Sequence, residues 1–278
     1  MYDDQDVEVA LEHCRATLSE RPSGLLTDID GTISLIAPTP EAASVGDEAK
    51  KALARLSARI DVVGVVTGRS APDAESMVGI PAMLYIGNHG LEARTNGATT
   101  INSDAAVVSG EIAAALAAVE LVASCNGIQD GIIYENKGVT GSIHYRLASD
   151  QEAAHRELLR LAVAEATARG LKVTEGRMVI ELRPKLAINK GTAIARVAEK
   201  SGLKGIVFLG DDVTDTDGFR AVTKLRDAGL ISGTNVAVVA PETDPAVAEA
   251  ADVAIHGVES CVRLLSALAD SFEGVYGV

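Results

Sequence analysis

Short apolar segments alternate with segments of helical periodicity over most of this chain. The segments at 24–27, 62–66 and 206–209 are largely apolar, and each of them ends in polar residues. Apolar residues recur at helical spacing in 47–58 and 215–227, as in amphipathic helices. Strands that alternate with helices form mainly parallel sheets with helices on both faces. The pattern therefore predicts an α/β protein with a doubly wound, mostly parallel, Rossmann-like sheet.

The middle of the chain has a different pattern. Its segments are a helix at 105–124, a hairpin at 131–146, a helix at 151–169 and a hairpin at 171–183. An αββαββ arrangement of this length favours an open sheet with two helices on one face. We therefore predict an inserted α+β domain at 105–184, within a core domain formed by 1–104 and 185–278.

The composition excludes several classes of protein. With 47% apolar and 23% charged residues, the 278-residue chain has the composition of an ordered globular protein. Its formal charge of −14 would repel nucleic acids and anionic membranes, so we expect neither as a partner. The N-terminal segment is acidic and the apolar runs are too short to span a membrane, which favours a soluble cytoplasmic protein. Cys14, Cys125 and Cys261 form no CxxC pair, and we expect reduced, buried and inert thiols.

Polar residues directly follow the predicted strands of the core. They are Asp28 and Asp30 after the first strand, Thr67 and Arg69 after the second, and Asp211, Asp212 and Asp215 after a late strand. Ligands of doubly wound sheets bind beyond the carboxyl ends of the strands, so we expect these side chains to form one site. Several carboxylates at one edge would repel one another unless a hard cation lay among them. The sequence therefore predicts a Mg²⁺ site.

These residue types suit phosphoryl transfer, which needs an oxygen nucleophile, a proton donor and neutralisation of charge. Asp28 can attack phosphorus, and Asp30 can protonate the leaving oxygen and later activate water. Asp211 can hold the metal against the nucleophile. The other contributions come from Gly31, which lets the backbone approach the phosphate, from the Thr67 hydroxyl and from the Lys190 charge.

The motifs also resemble those of a known superfamily. The segment Asp28-Ile29-Asp30-Gly31-Thr32, together with Thr67, Lys190 and Gly210-Asp211-Asp212, resembles the four motifs of haloacid dehalogenase superfamily phosphatases. The insert resembles the C2-type cap of that superfamily. A closer resemblance, over about residues 22–270, is to the trehalose-6-phosphate phosphatases. The segments that carry it are 85–92, 135–138, 144–146, 176–184, 189–191 and 210–219.

This resemblance implies an activity and a set of site residues. It implies hydrolysis of trehalose 6-phosphate through an aspartyl-phosphate intermediate, with one Mg²⁺ held by Asp28, the backbone carbonyl of Asp30 and Asp211. It also implies that side chains of the cap and the core bind the sugar hydroxyls. By matching position these are Glu135, Lys137, Arg146, Arg177 and Glu181 in the cap, and Arg69 and His89 in the core.

Two positions differ from the family pattern. Ile29 stands where an aromatic residue is usual, and Thr216 stands where a glutamate is usual. A neighbouring substrate, such as a glycosyl-phosphoglycerate or another sugar phosphate, is therefore an open alternative. A receiver-like signalling module would also place a phosphorylatable aspartate on a doubly wound sheet, although the chain length and the insert count against it. A catalytically silent regulatory domain is a further alternative, but it would not need Asp28, Asp30, Lys190 and Asp211 together.

Overall fold

The chain folds into two units, and the computed structural model describes residues 2–273. The first unit comprises Met1–Thr100 and Ile188–Val278, and the second comprises Ile101–Ala187. The predicted insert at 105–184 begins and ends inside the second unit, because that unit also includes a few residues on either side of it.

The first unit is built on an eight-stranded sheet. Its strands are β1 (Ser23–Thr27), β2 (Val62–Val66), β3 (Leu84–Gly87), β4 (Glu92–Thr95), β5 (Ala98–Ile101), β10 (Gly205–Gly210), β11 (Ser232–Val239) and β12 (Val253–His256). Their order across the sheet is β12-β11-β10-β1-β2-β3-β4-β5. The pairs from β12 through to β3 are parallel, whereas β4 runs antiparallel to β3. The predicted mostly parallel sheet is confirmed.

Helices cover both faces of this sheet. They are α1 (Tyr2–Leu18), α2 (Asp47–Ser57), α3 (Ala71–Val78), α7 (Lys190–Lys200), α8 (Thr216–Asp227), α9 (Pro245–Glu249) and α10 (Gly257–Glu273). Successive residues of a strand point to opposite faces, and the neighbours Leu25 and Leu26 of β1 belong to different apolar clusters. Leu25 lies in the cluster of Leu53, whereas Leu26 lies in that of Phe208. Burial on both faces explains why successive residues at the centre of β1 are apolar.

The second unit has a smaller, antiparallel sheet. Its elements are α4 (Ser103–Val107), α5 (Ser109–Cys125), β6 (Ile133–Asn136), β7 (Gly141–His144), α6 (Gln151–Ala168), β8 (Leu171–Gly176) and β9 (Val179–Pro184). The strand order is β6-β7-β9-β8. Ile143 and Ile180, on the two central strands, belong to one apolar cluster with Leu116 of α5 and Leu158 of α6. The helix predicted at 105–124 is divided in two, because Val108 leaves helical geometry with φ −98° and ψ 7°.

Two further expectations concern the cysteines and membrane-spanning segments. The thiols of Cys14 and Cys261 are buried as expected, but Cys125 is exposed, because it lies at the end of α5 away from the apolar cluster. Within residues 2–273, no helix is both long and apolar enough to cross a membrane.

Candidate active site

The loop after β1 brings Asp28 to the carboxyl end of the sheet. The Asp28 N–H donates to the Leu209 carbonyl at 2.9 Å, which continues the pairing of β1 with β10. Gly31 has a φ of +88°, and a Cβ at this position would overlap the Asp211 carboxylate. Glycine is therefore required for this backbone path. Gly31 lies against Asp211, and its N–H donates to the Ser34 carbonyl at 2.7 Å. A contact between Gly31 and a substrate phosphate stays a prediction.

The Asp28 carboxylate lies in a buried group of charges. The Lys190 Nζ is 3.1 Å from Asp28 Oδ1, and both side chains are almost fully buried. Carboxylate oxygens of Asp28, Asp211 and Asp215 all lie within 4.8 Å of one another. Burial raises the pKa of Asp28 well above its ordinary value, Lys190 lowers that pKa, and Asp215 and Asp211 raise it further. The site therefore concentrates carboxylates around the predicted nucleophile.

Asp215 holds Lys190 and the loop after β10. Its Oδ1 accepts a hydrogen bond from Lys190 Nζ at 2.7 Å, and its Oδ2 accepts from the backbone N–H groups of Asp211 and Asp212 at 3.2 and 3.1 Å. Burial lowers the pKa of Lys190, but Asp215 and Asp28 raise it more, so the ammonium stays charged. From the sequence alone Asp215 was one of several acids at the rim, without a role of its own.

Arg69 fixes the orientation of Asp30. Its Nε donates to Asp30 Oδ2 at 2.7 Å and its Nη2 to Asp30 Oδ1 at 2.9 Å, which makes a two-pronged ion pair. Nη1 donates to Asp73 at 2.9 Å, and both Nη atoms donate to the Pro40 carbonyl at 3.2 Å. The sequence predicted that Arg69 binds substrate. Its described partners are Asp30, Asp73 and Pro40, and substrate contact stays a prediction.

The loop between β3 and β4 carries His89 next to Thr67. Asn88 and His89 both have left-handed backbones, with φ of 48° and 55°. Their N–H groups donate to the carbonyls of Arg69 and Thr67 at 2.7 and 2.9 Å. A Cβ on Gly68 would lie 2.8 Å from the His89 ring, so glycine lets the imidazole approach the strand end. Strained backbone of this kind is common at functional sites.

Glu92 holds that loop and was not predicted as a site residue. Its Oε1 accepts from the Ala71 N–H at 2.6 Å and from Asn88 Nδ2 at 2.9 Å. Burial raises the pKa of the Glu92 carboxyl, while these two hydrogen bonds lower it. A carboxylate two residues after a glycine in a tight loop was the signal in the sequence.

The second unit brings together three of its five predicted sugar-binding residues. Lys137 Nζ lies 3.7 Å from Glu135 Oε2 and 3.5 Å from Glu181 Oε1. The His144 Nε2 is 3.1 Å from Glu135 Oε2, and Ser142 Oγ donates to Glu181 Oε1 at 3.3 Å. His144 and Ser142 were not predicted as site residues. Both alternate along β7 with apolar Ile143, which places them on the same face.

Arg146 and Arg177 lie together at the turn between β8 and β9. Arg146 Nη2 donates to the Arg177 carbonyl at 3.1 Å, and the Tyr145 N–H donates to the Met178 carbonyl at 3.2 Å. The left-handed φ of 57° at Met178 makes this turn possible.

Comparison with known proteins identifies the family. A family model described as trehalose-phosphatase matches residues 26–257. The chain belongs to the trehalose-phosphatase family. The trehalose-phosphate phosphatase of Mycobacterium avium (strain 104) is 34% identical over 276 residues, which cover 96% of this chain and 67% of that protein. The predicted resemblance and the predicted enzyme class, a phosphoric monoester hydrolase, are thereby confirmed.

Solved structures show the same fold. A trehalose-6-phosphate phosphatase related protein has a TM-score of 0.73 at 23% identity, over 91% of this chain and 98% of the other. The C-terminal domain of the Candida albicans trehalose-6-phosphate phosphatase has a TM-score of 0.75 at 22% identity, with 95% and 96% covered. A haloacid dehalogenase-like hydrolase from Bacteroides thetaiotaomicron gives 0.56 at 12% identity, with 91% and 99% covered. The haloacid dehalogenase-type fold of this trehalose-phosphatase family member is therefore confirmed.

The charge of the carboxylate group fits a divalent cation. Three buried carboxylates, Asp28, Asp211 and Asp215, face one buried ammonium, that of Lys190, which leaves two formal negative charges. Oxygen ligands are those that Mg²⁺ prefers. Both oxygens of Asp215 accept hydrogen bonds, and Asp211 Oδ1 accepts one from the Thr32 hydroxyl at 3.0 Å. Asp28 and Asp211 stay the predicted metal ligands in this member of the trehalose-phosphatase family. The Asp30 carboxylate is bound by Arg69, which agrees with a ligand role for its backbone carbonyl alone.

Proposed function

We propose that this enzyme hydrolyses trehalose 6-phosphate to trehalose and phosphate through an aspartyl-phosphate on Asp28. Membership of the trehalose-phosphatase family supports the substrate. The observation that carries the mechanism is the position of the Asp28 carboxylate, 3.1 Å from the Lys190 ammonium and adjoining the loop that holds Asp30. A carboxylate so placed can approach a phosphoryl group whose charge Lys190 neutralises.

The reaction has two steps. In the first, an Asp28 oxygen forms a bond to phosphorus, the bond from phosphorus to the sugar oxygen breaks, and Asp30 gives its proton to that oxygen. In the second, water attacks the phosphorus of the aspartyl-phosphate while Asp30 takes a proton from the water. The bond from phosphorus to the Asp28 oxygen breaks, which releases phosphate and regenerates the Asp28 carboxylate. Lys190 and the Thr67 hydroxyl bind phosphoryl oxygens in both steps. Mg²⁺, held by Asp28, the Asp30 carbonyl and Asp211, would neutralise the phosphoryl charge.

Recognition of the sugar falls to charged side chains of both signs. In this proposal Glu135, Lys137, Arg146, Arg177 and Glu181 bind hydroxyls of the disaccharide, with His89 as a further contact. Arg69, predicted as another contact, donates to Asp30, Asp73 and Pro40 and is proposed to position Asp30 instead. The short distances among Glu135, Lys137 and Glu181 support a shared role for these three. A hydroxyl both donates and accepts, so carboxylates and ammonium groups can bind it together.

Phosphate release from a panel of esters tests the substrate. The panel holds trehalose 6-phosphate, glucose 6-phosphate, a glycosyl-phosphoglycerate and a small aryl phosphate. We expect the first to give the highest kcat/KM. A preference for the phosphoglycerate ester would favour the alternative left open by Ile29 and Thr216. Ile29 is fully buried, and Thr216 donates to the Val213 carbonyl at 2.7 Å, so both side chains are accommodated within the fold.

Metal dependence and the covalent step have separate tests. Excess chelator should abolish turnover, and Mg²⁺ should raise the melting temperature of wild type but not of Asp211→Asn. Rapid acid quenching with substrate labelled on phosphorus should leave label on wild type and none on Asp28→Asn. Full turnover in chelator would remove Mg²⁺ from the mechanism, and an active Asp28→Asn enzyme would remove the covalent intermediate.

We further propose that the enzyme works in the cytoplasm without nucleic acid or membrane partners. The formal charge of −14 supports the lack of nucleic acid and membrane partners. The three free cysteines agree with a reducing compartment such as the cytoplasm. Fractionation of cells that express the chain, followed by the phosphatase assay, would test the location.

A further inference from the structure

Four side chains form a row across the sheet of the second unit. Glu135 of β6 is opposite Ser142 of β7, Ser142 is opposite Glu181 of β9, and Glu181 is opposite Thr174 of β8. Residues directly opposite one another in antiparallel strands point to the same face of a sheet. We call these four residues the polar row.

The polar row is on the face away from the helices. On β7 and β9 its members alternate with Ile143 and Ile180, which belong to the apolar cluster beneath α5 and α6. Ser142 is fully buried and Glu181 is 8% exposed. Polar groups at such burial need hydrogen-bonding partners. Ser142 Oγ meets this need through Glu181 Oε1 at 3.3 Å, and Lys137 Nζ lies near both glutamates.

Thr174 is the exception in the row. Its Oγ1 is buried from solvent, and no residue that the structure describes forms a hydrogen bond with it. By contrast Thr167, on the exposed side of α6, donates from its hydroxyl to the Val163 carbonyl at 2.7 Å. An unsatisfied buried hydroxyl is costly, so the position of Thr174 beside Glu181 points to a partner outside the protein chain.

The chemistry of the row selects the kind of partner. The charged members of the row are the carboxylates Glu135 and Glu181, and the Lys137 ammonium lies near both, so the row offers hydrogen-bond acceptors beside a donor. A neutral sugar hydroxyl can donate to Glu181 and accept from the Thr174 hydroxyl at once. We propose that Thr174 binds a hydroxyl of the sugar and is a specificity-determining residue of this phosphatase. The choice of trehalose 6-phosphate as its substrate rests on the proposed function.

Two substitutions of Thr174 distinguish the contribution of its hydroxyl from that of its branched shape. Thr174→Val removes the hydroxyl and keeps the branched shape, whereas Thr174→Ser keeps the hydroxyl. In the full-length enzyme with Mg²⁺, we expect Thr174→Val to raise KM for trehalose 6-phosphate about 5- to 10-fold, the usual worth of one neutral hydrogen bond. Inhibition of aryl phosphate hydrolysis by free trehalose should weaken by the same factor. Thr174→Ser should stay near wild type.

Two controls complete the experiment. Thr167→Val, which makes the same change on the exposed side of α6, should leave every constant unchanged. The kcat for a small aryl phosphate, which has no sugar, should be the same in all four enzymes. Unchanged KM and trehalose inhibition in Thr174→Val would overturn the inference, as would equal losses in Thr174→Val and Thr174→Ser.

The outcome is distinct from that of the proposed function. If wild type prefers another glycosyl phosphate, the substrate assignment fails, and the same variants are measured with the preferred ester. A selective loss in Thr174→Val with that ester would support the sugar contact, and no loss would overturn it. If wild type hydrolyses trehalose 6-phosphate and Thr174→Val does so equally well, the inference about Thr174 alone fails.

Discussion

The Arg69 guanidinium uses all five of its N–H groups on Asp30, Asp73 and the Pro40 carbonyl. Lysine would keep the charge at this position but not the planar fork that grips both oxygens of Asp30. The general acid of the proposed mechanism is therefore held by one side chain from the end of the neighbouring strand. Arg69 is a positioning residue in this arrangement.

If Arg69 positions the general acid Asp30, the activity lost on substitution of either residue should depend on the leaving group of the ester. Asp30→Asn should lower turnover of trehalose 6-phosphate by ~10²–10⁴, the usual contribution of a positioned general acid. Arg69→Lys should lower it less, because Asp30 is still present but poorly oriented. Both variants should lose less activity on an aryl phosphate with an acidic phenol, because that leaving group needs no proton. Steady-state kinetics with both esters measure the difference.

Asp73→Asn is the matched control for Arg69→Lys. It removes one carboxylate that Arg69 contacts and leaves the pair with Asp30 intact, so its activity should stay near wild type. Equal losses on the sugar ester and the aryl ester in Arg69→Lys would contradict the positioning role.

Residues of the site differ in how far the sequence predicts them. Asp28, Asp30 and Lys190 stand out because their positions after strands or at a helix start suit phosphoryl transfer. Asp215 and Ser142 gain their roles from partners distant in sequence. Lys190 and Asp215 are 25 residues apart, and Ser142 and Glu181 are 39 residues apart. Such pairs depend on strand order and register, which periodicity alone does not supply.

The loop between β3 and β4 depends on one buried carboxylate. Glu92 Oε1 satisfies the first N–H of α3, that of Ala71, and the amide of Asn88, whose backbone is left-handed. If Glu92 were lost, the Ala71 N–H and the Asn88 side-chain amide would lose the hydrogen bonds that they donate to it. The loop also carries His89, whose N–H donates to the Thr67 carbonyl. A change that destabilises this loop should therefore also disturb the candidate active site.

Glu92→Ala should therefore destabilise the protein by about 1–3 kcal/mol, the usual cost of leaving buried polar groups unsatisfied. Glu92→Gln keeps an oxygen acceptor and should cost less. Because the folded pKa of Glu92 is raised, its carboxyl favours the folded state most below its ordinary pKa of 4.5. That contribution is lost as the pH rises through the folded pKa, so the stability of Glu92→Gln relative to wild type should improve over that interval.

Urea denaturation at several pH values measures both effects. Glu157→Ala is the control, because Glu157 is on the exposed side of α6 in an ion pair with Arg160 and should have little effect. A Glu92→Ala protein as stable as wild type, with unchanged activity, would show that the loop does not need this acceptor.

Elements with a strong apolar pattern were predicted, and elements without one were missed. Strand β1 is buried along its whole length, and its apolar centre makes it recognisable in the sequence. Strand β5 is exposed at every residue, so its sequence lacks the alternation that marks a half-buried strand. Helix α1 was missed because its composition is acidic, although Ala10, Cys14 and Leu18 are buried at a spacing of four.

At the scale of the whole molecule, the two units carry different parts of the proposed reaction. The first holds the acidic residues and Lys190, which serve any phosphate ester, and the second holds charged side chains suited to sugar hydroxyls. A phosphate site of this kind cannot by itself distinguish trehalose 6-phosphate from glucose 6-phosphate. Discrimination between the two therefore falls to the second unit in the proposed function.

Glu181→Ala and Lys137→Ala test this division of roles. Each should reduce kcat/KM for trehalose 6-phosphate by at least ~10-fold, since charged groups left without sugar partners cost roughly 1–3 kcal/mol each. Hydrolysis of a small aryl phosphate, which has no sugar to bind, should barely change.

Arg156→Ala, an exposed substitution in the same unit, should leave both activities unchanged. Melting temperatures distinguish a loss of binding from a loss of folding, because Lys137 also lies close to both Glu135 and Glu181. Equal losses on both esters would place the defect in folding or in the first unit, and the second unit would then not determine specificity.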